Sequence, residues 1–381
     1  LLGIGSCPPL RGGVSAMLQA TAGYGALRVA CDVASGIDAD TGAADADAFQ
    51  ADLTVAAGPL KLGSLLYPAR LVGGELIGTD IGLPWEALEG LAGRTIGEAG
   101  TGLPERPADG HKGTYGRALV VAGSRRFRGA ATLCCLGALR AGAGYVTLAG
   151  IEPVVAATAA MSPGVTLEPL AEEDGGIAPR AGAGLVELAN AAGAAAVGPG
   201  LGQTAGTELI IRKLLGGAGP DCRLVLDADA LNVLAPLDGA VRDSRADVIL
   251  MPHPGEMARL LGETTKAIGA NRTGAARRAA ERSGAVVVLK GAGTVVATPE
   301  GEYAVAPQVA PALAAAGSGD VLAGIIAALL AQGMASFAAA SAGVLIHNHA
   351  GMRAGEGIGV AGTIAEDLPE FVPGILEELR G

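Results

Sequence analysis

The sequence predicts an α/β protein built on a mostly parallel sheet flanked by helices. Three observations predict it. Apolar runs of strand length alternate with longer Ala- and Leu-rich helical runs. Glycine-rich polar turns follow strand after strand, as they do along the carboxyl edge of an open α/β sheet. With 62 glycines, 50% hydrophobic and 3% aromatic residues, the core has to be made of Ala, Val and Leu with close backbone approaches. A chain of 381 residues is long enough for two such domains.

Taken in order, residues 26–31 read as a short buried strand ending in Asp32-Val33-Ala34-Ser35-Gly36-Ile37-Asp38. Polar groups crowded past a strand's carboxyl end are either a ligand site or an ordinary Asp/Ser/Gly turn. Ala51 to Ala57 is a second apolar segment leading to Lys61, and Gly74 to Ile81 a third strand that contains Asp80. A short helical pattern spans Trp85 to Leu91. Gly-, Pro- and charge-rich sequence through Gly100-Thr101-Gly102-Leu103-Pro104-Glu105-Arg106-Pro107 then reads as a linker. The expected division is a domain over 1–90, a linker over 91–110 and a second domain over 111–381.

The second domain opens at His111-Lys112-Gly113. Strand Ala118 to Ala122 runs into the basic loop Gly123-Ser124-Arg125-Arg126-Phe127-Arg128-Gly129-Ala130 and a helix through Leu139, followed by strand Gly144 to Ala149. Ala194 to Val197 enters Gly198-Pro199-Gly200-Leu201-Gly202, a weak glycine signature on its own. Arg223 to Leu226 delivers Asp227-Ala228-Asp229-Ala230-Leu231-Asn232, whose carboxylates either hold Mg²⁺ through water or cap the next helix. Val248 to Met251 ends in Pro252-His253-Pro254-Gly255-Glu256, which sets one histidine in a rigid loop. The β-branched strand Ala285 to Leu289 ends in Lys290-Gly291-Ala292-Gly293-Thr294, a cation, small residues and a hydroxyl suited to gripping a phosphate. Val295 to Ala297 and Tyr303 to Val305 form a hairpin, which would put that loop at a sheet edge.

Gly317-Ser318-Gly319-Asp320 stands before a long apolar run. Glycines admit a phosphate close to the backbone, and the free amides and dipole of a helix start stabilise its charge. Asp320 among them either caps the helix or serves as a base for a hydroxyl attacking that phosphate. The apolar stretch from Val321 to Ile346 is broken at Gln332-Gly333 and bounded by Asp320 and His347, so two buried helices are expected rather than a membrane span. The formal charge of −11 argues against a general nucleic-acid or anionic-membrane binder. Cys7, Cys31, Cys134, Cys135 and Cys222 form no CxxC pair, and a reducing cytoplasm is expected. The start at Leu1 has no basic n-region and reads as entry within a domain rather than as a signal peptide.

Together His111-Lys112-Gly113, Gly198-Pro199-Gly200-Leu201-Gly202, Asp227-Ala228-Asp229-Ala230-Leu231-Asn232, His253-Pro254-Gly255-Glu256, Lys290-Gly291 and Gly317-Ser318-Gly319-Asp320 resemble the ADP-dependent NAD(P)H-hydrate dehydratases of ribokinase-like fold, over essentially all of 111–381. Asp32 to Asp38 and Ala51-Asp52-Leu53-Thr54 resemble the second half of an NAD(P)H-hydrate epimerase domain, a partial Rossmann-like α/β domain with its N-terminal half missing. The resemblance implies phosphate transfer from ADP, or ATP, with Mg²⁺, to the C6 hydroxyl of hydrated NADH or NADPH, followed by loss of phosphate. It implies Asp320 as the base and Gly317, Ser318 and Gly319 as the anion hole. Ala130, Gly200, Gly202, His253 and Asp320 would contact substrate, and Lys290, Gly291, Ala292, Gly293, Thr294 and Gly319 the adenine nucleotide. Asp32 would contact epimerase substrate and Ser35 potassium, and Gly3-Ile4-Gly5-Ser6 matches part of that substrate loop. A homo-oligomer is also implied.

Two departures accompany the resemblance. The family's Asn-Pro pair is Ala310-Pro311 here, and a Thr near the anion turn is Ala315. Each removes a side-chain hydrogen-bonding group, a loss of roughly 0.5–1.5 kcal/mol where such a contact is made. No epimerase activity and a poorly ordered or oligomer-dependent N-terminal segment are expected. A superfamily kinase that keeps its phosphorylated product, and a catalytically impaired nucleotide-binding module, are the competing classes.

Overall fold

The computed structural model describes residues 1–88, 90–97 and 101–380. Glu89 in the expected helical pattern, Glu98, Ala99 and Gly100 in the expected linker, and Gly381 lie outside the described residues. The N-terminal unit contains α1 (Val14–Thr21), β1 (Val29–Cys31), β2 (Leu53–Ala57), α2 (Leu62–Leu65) and β3 (Glu75–Thr79). Its strands pair in parallel in the order β1-β2-β3. Ala30, Val33, Ala34, Ile37, Ala39, Ala48, Ala51, Ala69 and Val72 make a core of its own. Of the poorly ordered or oligomer-dependent segment expected here, the first alternative is corrected: short Ala and Val side chains let three small strands and their turns close over a core. Leu65 and Leu66, at the end of α2, join the large core of the second unit.

The second unit begins earlier than expected. Gly93–Thr95, inside the expected linker, forms β4 and pairs in parallel with a late strand of the main sheet. Then come β5 (Arg117–Val121), α3 (Arg128–Arg140), β6 (Tyr145–Ile151), α4 (Glu152–Met161) and β7 (Thr166–Leu170). A small antiparallel pair, β8 (Glu172–Glu173) and β9 (Gly176–Ile177), precedes α5 (Gly182–Ala192), β10 (Gly193–Val197), α6 (Ala205–Gly217) and β11 (Arg223–Leu226). Next are α7 (Asp229–Val233), β12 (Asp247–Leu250), α8 (Pro254–Leu261), α9 (Thr265–Ala270) and α10 (Arg272–Ser283). The chain finishes with β13 (Val286–Leu289), β14 (Val295–Ala297), β15 (Tyr303–Val305), α11 (Ser318–Ala331), α12 (Ser336–Gly357) and α13 (Leu368–Arg380).

The main sheet runs β4-β15-β14-β13-β12-β11-β10-β5-β6-β7. Its pairs are parallel except β13-β14 and β14-β15. The expected hairpin is present, but β4 covers it, so the edge position expected for the Lys290 to Thr294 loop is corrected. The chain lays down β5, β6 and β7 in one direction and then returns to place β10 on the other flank of β5. That reversal opens a crevice at the carboxyl ends of β5 and β10, where the loops over residues 123–127 and 198–202 emerge.

Helices α3, α11 and α12 pack against one face of the sheet, α5 and α10 against the other. The first face is unusually close. A Cβ on Gly324 of α11 would lie 2.0 Å from the Cys134 carbonyl oxygen of α3, and one on Gly137 would lie 2.3 Å from the Val321 carbonyl oxygen. These glycines let two helix backbones touch, which Ala could not. The long apolar stretch is indeed two helices, α11 and α12, with the second continuing past His347 to Gly357. Among the described residues no helix is long and apolar enough to cross a membrane.

Candidate active site

Two cavities meet at the start of α11. The first, about 620 Å³, is lined by Ser124 to Phe127, Ala130, Asp174 to Gly176, Gly200 to Thr204, Asp229 and Asp320. The second, about 410 Å³, is lined by His253, Pro254, Lys290, Gly291, Ala292, Thr294, Gln308 to Pro311, Ser318, Gly319, His347 and Asn348, among others. Consecutive residues of one helical turn thus open on different spaces: Ser318 and Gly319 on the second, Asp320 on the first.

The helix start is built for close approach. Gly317, the residue before α11, has φ +91°, a left-handed conformation that only glycine adopts readily, and no side chain caps the helix. Ser318 donates its amide to the Ala315 carbonyl (3.2 Å) and its hydroxyl to the Leu313 carbonyl (2.8 Å). The Ser318 amide expected in an anion hole is therefore already used inside the turn. Ala315 acts there through its backbone, so its missing side chain removes nothing from this bond. His347 Nε2 lies 2.9 Å from the Ser318 carbonyl oxygen. Burial lowers the His347 pKa to about 4, so the neutral ring donates from Nε2 and fastens the turn to α12.

Beneath the turn, Lys290 pairs with Asp227. Asp227 is 1% exposed and also accepts the Ala228 amide at 2.8 Å. A Cβ on Gly319 would lie 3.3 Å from Lys290 Nζ and 3.7 Å from Asp227 Oδ2, so a side chain there would press on the ammonium, which glycine leaves undisturbed. Burial pulls the Lys290 pKa down, but Asp227 and Glu256 outweigh it and the ammonium ends above its ordinary value. Asp320 shows the opposite: burial first, then the charge of Asp227, raise it to about 7 despite Lys290, with Asp229 and Glu256 adding to the rise. A carboxylate that ionises near neutrality, facing a cavity and one residue from a fixed ammonium site, is suited to general-base work.

Other sequence-predicted residues fall into place unevenly. Ala130, Gly200, Gly202 and Asp320 share the first cavity. Lys290, Gly291, Ala292, Thr294 and Gly319 share the second, as expected of a nucleotide set. His253, expected with the substrate set, lines the second cavity instead. It caps α8: its Nδ1 accepts from the Gly255 and Glu256 amides (3.0 and 3.3 Å), and Glu256 accepts the His253 amide at 2.8 Å. This is a capping box with histidine in the Ser/Thr position, and the His-x-x-Glu spacing signalled it. Gly293 and Gly317 line neither cavity; Gly293 packs against the N-terminal unit, where a Cβ would sit 3.2 Å from the Leu65 carbonyl oxygen.

The Asp227/Asp229 pair divides its work. Asp229 accepts the Gly202 amide (2.8 Å) and the Gln203 side chain (3.0 Å), holding the Gly198–Gly202 turn in place. Ala228 between them has φ +49° and ψ −116°, an L-residue in strained backbone that costs roughly 1–3 kcal/mol. Among the described residues no group of three His, Cys, Asp or Glu side chains is placed to hold a metal ion by itself. Phe127, Asp174, Gln203 and Thr204 in the first cavity, and Gln308, His347 and Asn348 in the second, were not singled out in sequence. Phe127 alone had a signal, as an aromatic inside a basic loop of a chain with 4 Phe.

In the N-terminal unit Asp32, at φ +69°, accepts the Ala57 amide at 3.0 Å and pairs with Lys61. Ser35 is 5% exposed and accepts the Leu2 amide at 3.0 Å.

Comparison with known proteins adds to this geometry. Residues 118–373 match the family model described as NAD(P)H-hydrate dehydratase, and residues 1–63 match the YjeF-related protein N-terminus. An N-terminal domain of that family is present, and its description as a truncated remnant finds no support in the match. The chain is similar to the bifunctional NAD(P)H-hydrate repair enzyme of Thermofilum pendens, 39% identical over all of this chain and 72% of that protein. It is similar to the ADP-dependent (S)-NAD(P)H-hydrate dehydratase of Xanthomonas campestris, 37% identical over 75% of this chain and 97% of that one. Among solved structures, the ADP/ATP-dependent NAD(P)H-hydrate dehydratase of Bacillus subtilis, co-crystallised with ATP and Mg²⁺, superposes with a TM-score of 0.65 at 31% identity, covering 75% of this chain and 98% of its own.

Proposed function

The chain belongs to the NAD(P)H-hydrate dehydratase family, and from that premise we propose that it returns hydrated NADH and NADPH to NADH and NADPH at the expense of ADP or ATP, as a metabolite-repair enzyme. The observation that carries the reading is the one turn of α11 shared by two cavities, with Asp320 on one side and Gly319 and Lys290 on the other. The nucleotide takes the second cavity and the hydrated dinucleotide the first. Asp320 accepts the proton of the C6 hydroxyl as its oxygen attacks the terminal phosphorus, and AMP leaves when ADP is the donor. The C6–O bond then breaks with help from the adjacent ring nitrogen's lone pair, phosphate departs, and loss of a proton from C5 restores the C5–C6 double bond. The Lys290 ammonium and the Gly319 amide stabilise charge on the transferring phosphoryl group. Mg²⁺, when bound with the nucleotide, would neutralise phosphate charge; Mg²⁺ commonly takes phosphates and water with few protein ligands.

The test supplies NADH hydrate, Mg²⁺ and ADP or ATP, and follows NADH absorbance together with AMP or ADP and phosphate. Recovery of NADH only with a nucleotide is expected. A phosphorylated dinucleotide that persists would make the protein a kinase, and nucleotide binding without turnover would make it a binding module. Ala310, 7% exposed on the second cavity, is the position to revert to Asn in that last case.

The N-terminal domain, in which the Asp32 carboxylate pairs with Lys61 and accepts the Ala57 amide, is proposed to lack epimerase activity. Incubation with the (R)-hydrate, with and without K⁺, should leave its stereochemistry unchanged; conversion to the (S)-hydrate would overturn this.

A further inference from the structure

The first cavity has one feature that the proposed chemistry leaves unused. Phe127 stands 45% exposed on its wall, in a chain with only 3% aromatic residues. Its backbone is nonetheless pinned. The Phe127 amide donates to the Ser124 carbonyl at 3.1 Å, and the Ser124 hydroxyl donates to the Gly200 carbonyl at 2.8 Å. A Cβ on Gly200 would lie 2.8 Å from the Phe127 Cβ, so the glycine turn closes directly against this residue. The Arg125 amide fixes the same loop to the Gly175 carbonyl at 2.8 Å. A ring left in water on a pinned backbone forfeits its own burial, which a flat ligand face would restore.

The cations beside it are unequally engaged. Arg125 pairs with Glu172, and Arg128 donates to the Arg125 carbonyl at 3.2 Å. Arg126 has its guanidinium carbon 5.3 Å from the centre of the Phe127 ring, with no carboxylate partner among the described residues. Arg126 lies over one face of that ring, and an aromatic ring with a cation over one face offers its other face to a base and the cation to an adjacent phosphate.

We propose that Phe127, with Arg126 beside it, is the platform on which the adenine end of the hydrated dinucleotide stacks, making the site selective for a dinucleotide over a mononucleotide. The inference rests on the dehydratase reading above. Hydration removes the C5–C6 double bond, so the reacting ring belongs at Asp320, and the purine is the aromatic face left for Phe127.

The experiment compares hydrated NADH with hydrated reduced nicotinamide mononucleotide in the wild type, Phe127→Ala and Phe127→Trp. The expected result is a KM for the dinucleotide raised about tenfold in Phe127→Ala, with the mononucleotide and ADP KM values left in place and the effect reversed in Phe127→Trp. Equal KM changes for both substrates, or none, overturn the platform. Fluorescence titration of NADH without nucleotide separates this from failure of the function. If the wild type turns over neither hydrate, the dehydratase reading fails, and the platform then stands only if Phe127→Ala weakens NADH binding about tenfold and leaves mononucleotide binding unchanged.

Discussion

Asp320→Asn is expected to lower kcat by about 10²–10⁴-fold, the range for removing a general base, while ADP still binds. The amide keeps the shape and hydrogen-bonding reach of the carboxylate but cannot take the hydroxyl proton. In the wild type, kcat/KM should rise with slope one as pH increases and level off near pH 7, where Asp320 ionises. The sign follows from the role: a base works in its deprotonated form, so activity is lost as pH falls through the raised pKa. Glu256, also raised by burial to about 7, faces the same group of charges, so the limb reports the coupled cluster of Asp320, Glu256, Asp227, Asp229 and Lys290. The variant's residual rate should lose that limb. Its thermal midpoint should not fall, since an ionised carboxylate in a site that disfavours its charge has been replaced by a neutral group. A pH–rate profile unchanged in the variant, or full activity, sinks the assignment.

Lys290→Met carries the second large effect, and it falls on both stability and nucleotide use. Asp227, 1% exposed, would lose its counter-charge. Removing one partner of a buried pair costs about 3–5 kcal/mol, because the other charge is stranded. The double variant Lys290→Met/Asp227→Asn should regain most of that stability and none of the phosphoryl transfer. Denaturant unfolding of the three variants, with ADP titrations of each, separates the two losses. If the double variant recovers activity with stability, Lys290 acts only as a structural partner of Asp227.

What the sequence made legible follows from local chemistry. β13 is Val286 to Leu289 because β-branched side chains suit a sheet buried on both faces, and the turn after it must be glycine-rich where a ligand approaches. The start of α11 was visible in Gly317-Ser318-Gly319 for the same reason. β4 was not: Gly93-Arg94-Thr95 has no strand signal of its own and becomes a strand only because β15 offers an unpaired edge. The placement of His253 depends on where β12 and β13 deliver their loops relative to α11, a distance that no spacing encodes. The use of the Ser318 amide was hidden in the same way, since its partner is a carbonyl three residues back whose reach depends on φ at Gly317. Short strands in the N-terminal unit were legible as strands, while their ability to close a core was not, because packing of Ala30 against Ala48 and Val72 is a tertiary property.

The backbone contact between α3 and α11 at Gly137 and Gly324 fixes a working dimension of the enzyme. The loop proposed to receive the dinucleotide leads into α3, and the turn proposed to present the phosphate begins α11. With the two helices in contact at glycine, neither can slide along the other without driving a carbonyl into a neighbouring Cα. The spacing between the two cavities is thus machined into a helix pair, like the jaws of a caliper locked at one setting.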